Sequence, residues 1–119
     1  MRFVFSQHNR LVEKQEFDYV FAKPYKAKHQ WLLALSRSNQ RPYARLGIII
    51  AKSRVPRSVD RNLIKRVVRE SFRIHQEMVK GLDIIVLIRS ECIPLDDKKN
   101  LRKDVDGLWS KIHPVEVES

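Results

Sequence analysis

The chain has a single cysteine, Cys92, among its 119 residues. No disulfide can form within it, and no cysteine-based metal site can be assembled. A lone cysteine reads as a small buried hydrophobe or a bystander thiol, and it fits a reducing, cytoplasmic setting. Glycine is nearly as scarce, with three residues. A glycine-rich phosphate loop or a nucleophile elbow would be hard to build from so few. Long apolar runs are absent too. IIVLI at 84–88, which no run exceeds, is far too short to span a membrane. The opening MRFVFSQHNRL lacks the sustained apolar stretch of a signal peptide. His8, His29, His75 and His113 have no metal-ligand spacing with one another or with Cys92. Asp96 and Asp97 could be imagined as a metal pair, but helix capping explains Asp96 more simply. No catalytic residue and no metal site is expected in the protein.

Negative charge is also in short supply. Fourteen acids face 24 Lys and Arg, a net charge of +10. Such an excess repels itself in a compact state and attracts polyanions. Nucleic acid is the leading partner and an anionic membrane surface the second. The length suits one domain over 1–119, with a loose N-terminal arm over about 1–12 and a polar tail over about 113–119. No internal repeat or low-complexity tract interrupts it.

The hydrophobic pattern predicts an alternation of helices and strands. Residues 13–22 place Phe17, Val20 and Phe21 on one helical face, and Pro24 stops that helix. Residues 31–38 and 44–52 read as strands joined by a short polar turn, hence an antiparallel hairpin. In the second strand Leu46, Ile48 and Ile50 point one way and Gly47, Ile49 and Ala51 the other. A long helix is predicted from about Val59 to Val79, with Gly81 as its stop. Residues 82–90 form a strand buried on both faces. Asp96 then caps a last helix with Leu101, Val105, Leu108 and Trp109 inward. The fold class is therefore α+β, a two-layer α-β sandwich.

The long helix carries the charge. SVDRNLIKRVVRESFR at 58–73 holds five cations. At about 100° per residue, Leu63, Ile64, Val67, Val68, Ser71, Phe72 and Ile74 share one broad arc. Lys65, Arg66, Arg69 and Arg73 share the opposite one, with Asn62 inside it and Arg61 at its border. A solvated helix face usually mixes signs for local pairing. This arc has four cations and no acid, with Glu70 and Glu77 at its edge, so it reads as a nucleic-acid contact. A strand and a loop precede it, rather than the partner helix of a helix-turn-helix DNA protein. An RNA-binding α+β domain fits better.

The segment LGIIIAKSRVPRSVDRNLIKRVVRESFR resembles the signature region of the bacterial ribonuclease P protein subunit. That family has a Lys at a strand end, a loop, then Arg-Asn-Arg-x-Lys-Arg-x-x-Arg-Glu. Lys52, Arg61, Asn62, Lys65, Arg66, Arg69 and Glu70 occupy these positions. Upstream, Arg10 and Leu11 resemble the family's Arg-Leu arm, and Phe17 and Phe21 its Phe-x-x-x-Phe helix. LWSKI suits its last helix. The likeness covers about residues 8–112. Two positions depart from the pattern: Leu63 replaces the third residue of the Arg-Asn-Arg triplet, and Ser53 stands where a second Lys is common.

The resemblance implies a fold like domain 2 of ribosomal protein S5, with a left-handed βαβ crossover around the long helix where the general rule expects a right-handed one. It implies the protein subunit of a ribonucleoprotein endonuclease that removes the 5′ leader of precursor tRNA. Catalysis and most of the Mg²⁺ binding would belong to the RNA subunit. Arg61, Asn62, Lys65, Arg66, Arg69 and Arg73 would face the catalytic RNA. Phe17, Phe21 and Lys52 would line the cleft for the single-stranded leader. The partners implied are the ribonuclease P RNA and precursor tRNA, with no membrane and no obligate protein partner. A structural RNA-binding protein of ribosomal type, without a role in tRNA processing, is the alternative, and a DNA-binding module is the third reading.

Overall fold

A computed structural model describes residues 9–112. The polar tail expected over 113–119 lies outside the described residues, as do residues 1–8 of the arm.

Helix α1 (Lys14–Ala22) starts where the Glu16 carboxylate accepts the backbone N–H groups of Val12 (2.7 Å) and Glu13 (2.9 Å). These are donors that a helix N-terminus otherwise leaves unsatisfied. Pro24 ends it, and the chain passes directly into strand β1 (Tyr25–His29). Strand β2 (Leu32–Ser38) follows after two residues, with Gln30 in the left-handed region at φ 55°. Strand β3 (Arg45–Ile49) leads through a loop to helix α2 (Ser58–His75). A 3₁₀ turn (Gln76–Val79) and Gly81 at φ 85° lead into strand β4 (Leu82–Ile88). Helix α3 (Lys98–Leu108) and a final 3₁₀ turn (Trp109–Lys111) close the described chain.

The strand order is β1-β2-β4-β3. β2 pairs antiparallel with β1 and β4, and β3 pairs parallel with β4. The expected hairpin between residues 31–38 and 44–52 does not form, because β4 lies between those strands. β4 takes the central place that its near-continuous apolar run suits, and six of its seven residues are buried. The strand missed by the periodicity is β1. Its sequence YKAKH buries only Ala27 fully, so its apolar signal is a single residue.

The main core lies between the sheet and the helices α2 and α3. Ile64, Val68 and Phe72 of α2 meet Leu101, Val105, Leu108 and Trp109 there. The Phe72 and Trp109 rings meet edge-on, with centroids 5.8 Å apart, a geometry worth about 1 kcal/mol beyond burial. The Trp109 indole N–H donates to Ser71 Oγ at 2.7 Å, which satisfies the polar atom of a ring buried this deeply. Helix α1 packs on the opposite face of the sheet, where Val20 joins Leu11, Leu35 and Ile85 in a smaller cluster.

Several local expectations are corrected. The long helix loses α geometry at His75, and 76–79 tighten to 3₁₀. Ile74, assigned to the apolar arc, is 40% exposed. The cap of α3 is Asp97, whose Oδ1 accepts the Asn100 N–H at 3.1 Å; Asp96 is one residue too early. Cys92 is exposed. The arm is not loose over residues 9–11. Asn9 Nδ2 donates to Ala44 O (2.8 Å), Leu11 N to Leu46 O (3.0 Å), and Leu11 is buried.

Candidate nucleic-acid interface

Strand alternation fixes what the α1 side of the sheet presents. Three rows run across it. Arg37, Asp83 and Arg45 make the first, Lys26, Leu35, Ile85 and Gly47 the second, and Lys28, Leu33, Leu87 and Ile49 the third. Val20 packs against the middle row. The third row is less covered: Leu33 and Leu87 are half-buried and Ile49 is 37% exposed. The third row therefore offers a partly exposed apolar strip with Lys28 at its β1 end.

The first row anchors α1. The Arg45 guanidinium donates to both oxygens of buried Asp83 (2.8 Å each) and to Glu16 (3.0 Å). Asn39 Nδ2 adds a third side-chain bond to Asp83 at 2.8 Å. Hydrogen bonding to Asp83, opposed by burial, raises the Arg45 pKa. Burial pushes Glu16 upward, but the Val12 and Glu13 N–H groups and Arg45 outweigh it and hold Glu16 below the ordinary carboxylate range.

Phe17 and Phe21 diverge. Phe17 is half-buried on the smaller cluster, and its ring lies against Gly47. A Cβ at Gly47 would sit 2.6 Å from Phe17 Cε1, so only glycine admits this approach. Phe21 is 43% exposed. Lys52 is exposed in the turn after β3.

The basic arc of α2 divides as well. Arg61 Nη1 donates to the carbonyls of Val55 (2.9 Å) and Pro56 (2.8 Å), so it braces the loop before the helix. Arg73 is paired with Glu70, which raises Arg73 and lowers Glu70 chiefly through their hydrogen bond. The expected all-cation arc thus has one cation compensated. Asn62 and Arg66 are exposed. Lys65 and Arg69 are half-buried and converge with Arg10, Leu11, Phe17 and Gly47 on a crevice of about 130 Å³. It lies at the outer edge of β3, the border strand. Phe17 from one layer and Lys65 and Arg69 from the other reach the same rim.

The structure therefore brings Phe17, Lys65 and Arg69 together, and leaves Phe21, Lys52, Asn62 and Arg66 as separate exposed positions. Leu63 is half-buried against the main core, so the departure from the Arg-Asn-Arg pattern supplies packing. Gly47, Lys28, Leu33, Ile49 and Leu87 belong to no functional motif in the sequence. Gly47 had a signal, a glycine inside an apolar strand. The others needed the strand register.

The family model for Ribonuclease P matches residues 5–113. Among solved structures, the chain is similar to the ribonuclease P protein of Thermotoga maritima (28% identity, TM-score 0.74, covering 88% of this chain and 98% of that one). It also matches that organism's protein in complex with 1-(4-fluorophenyl)-2-thiourea (27%, TM-score 0.72, 84% and 96%). A Staphylococcus aureus ribonuclease P protein mutant with defective mRNA degradation activity shares the fold (24%, TM-score 0.77, 87% of each chain). With the family model matching nearly its whole length and solved structures sharing its fold, the chain belongs to the Ribonuclease P family, as the bacterial protein subunit of a tRNA-processing ribonucleoprotein.

Proposed function

We propose that the protein binds the ribonuclease P RNA through the exposed side of α2 and receives the 5′ leader of precursor tRNA on the α1 side of the sheet. The observation that carries this reading is the rim where Arg10, Lys65 and Arg69 converge around Phe17 and Gly47. Cations there would follow a phosphate backbone, and the aromatic and apolar surface beside them suits unstacked bases. Asn62, Lys65, Arg66 and Arg69 would meet the catalytic RNA. Arg61 and Arg73 would act mainly by holding the loop and the helix surface in shape. Phe17, Phe21 and Lys52 would line the path of the leader, with Leu33, Leu87 and Ile49 as its floor.

Bond cleavage would belong to the RNA. Mg²⁺ would be held mainly by the RNA subunit and would supply the activated water and charge stabilisation of phosphodiester hydrolysis. Among the described residues no group of three or more His, Cys, Asp or Glu could hold the ion. The protein's part is positioning: it neutralises phosphates and orders an unpaired strand. The test is cleavage of precursor tRNA by the cognate RNA with and without the protein. A lowered Mg²⁺ requirement supports the reading. Association with structured RNA and no effect on leader removal would favour a purely structural RNA-binding role.

A further inference from the structure

The other flank of α1 carries a second aromatic and basic cavity, away from the Phe17 rim. It lies at the corner where α1 turns into β1 and has a volume of about 370 Å³. Tyr19, Lys23, Pro24, Tyr25 and Arg37 line it, together with Ser36 and Ser38 at the end of β2. No acid is among these residues. Tyr19 and Tyr25 are 39% and 40% exposed. The register begins at Tyr25↔Ser36, so β2 runs on past β1 and leaves Arg37 and Ser38 beside the opening.

The cavity is ordered before any ligand arrives. The Arg37 guanidinium lies 3.9 Å from the Tyr19 ring centroid and donates to Tyr19 O at 2.8 Å. The Tyr19 hydroxyl donates to Ser38 O at 2.5 Å. Arg37 has no ion-pair partner among the described residues, and neither does Lys23 or nearby Lys26. A cation stacked on a ring, with flanking lysines, forms a platform for a flat, electron-rich group with an attached anion. The volume falls at the lower end for ligand pockets and suits one nucleotide.

We propose that this corner is a second nucleotide-binding site, which stacks one unpaired RNA base on the Tyr19–Arg37 pair and holds its phosphate near Lys23. It rests on the RNA-binding reading above and extends it to a place outside the leader cleft. Two contact points on either side of α1 would fix an RNA strand in both position and direction.

The test uses the full-length chain and a single-stranded oligouridylate of about six nucleotides that carries 5-iodouridine, cross-linked by light and mapped to the residue. Labelling at Tyr19 is expected. Tyr19→Ala should weaken binding roughly 5- to 150-fold, as loss of one base stack does, while Tyr19→Phe keeps it and controls for folding. Labelling confined to Phe17 and Phe21, with Tyr19→Ala binding normally, would overturn this site and leave the cleft reading intact. An absence of any binding to the oligonucleotide would overturn both.

Discussion

Gly47 and Phe17 show how one absent methyl group shapes the rim. In Gly47→Ala the new Cβ would collide with Phe17 Cε1 and Cζ, at 2.6 and 2.7 Å. Overpacking of this kind costs about 1–3 kcal/mol. Urea unfolding should register that loss, and the Phe17→Ala background should abolish it, because the clash is then gone. Arg45 makes a second case. Its removal as Arg45→Met leaves the Asp83 carboxylate buried with Asn39 as its remaining side-chain partner. Breaking a buried pair from one side costs about 3–5 kcal/mol, and adding Asp83→Asn should recover a large part of it. Glu16 gives the site a pH dependence. Its folded value lies below the ordinary 4.5, so its stabilising contribution is complete above that value and is lost as pH falls through the folded one. Glu16→Gln should make the acid-side loss of stability shallower, as read from urea unfolding across the acidic range. These residue-level facts were only partly legible beforehand. A strand glycine was visible, but its partner was not. Nothing local announces that Arg45 and Asp83, 38 positions apart, face each other across a parallel pair.

At the scale of elements, α2 combines two jobs on opposite faces. Its buried residues Ile64, Val68, Ser71 and Phe72 follow the 3.6-residue period closely enough to be read from sequence. Its cationic side does so too, although the pairing of Arg73 with Glu70 and the use of Arg61 as a loop brace show only in the folded structure. Among the described residues Arg69 has neither an acidic partner nor a loop carbonyl to brace, and it faces the Phe17 rim. Arg69→Glu should weaken binding to the catalytic RNA and reduce the salt slope by about one. An unchanged slope in a salt titration would remove this face from the interface. Strands β2, β3 and β4 are legible as segments, but their pairing is not. Two short apolar strands with a polar turn between them suggest a hairpin, but β4 offered a longer apolar surface and separated them. The lysine-rich β1 took the remaining edge, where charged side chains also discourage pairing with other chains.

Across the whole molecule the decisive quantity is a net charge of +10 on 119 residues. Self-repulsion should leave the free protein less stable than its core alone would make it. Phosphate or sulfate bound to the folded form should raise the melting temperature with concentration, following linkage, and melting curves indifferent to these anions would contradict that. The same charge is what an RNA partner would neutralise. The family and the fold make the chain a ribonuclease P protein, and the proposed RNA face and leader path would give it a positioning role in removal of the tRNA leader. The most direct measurement is precursor tRNA cleavage by the cognate RNA across a Mg²⁺ titration, with wild-type protein and with Arg69→Glu. The account predicts that wild-type protein shifts cleavage to lower Mg²⁺ and that the variant shifts it less. Equal Mg²⁺ requirements with and without wild-type protein would contradict it.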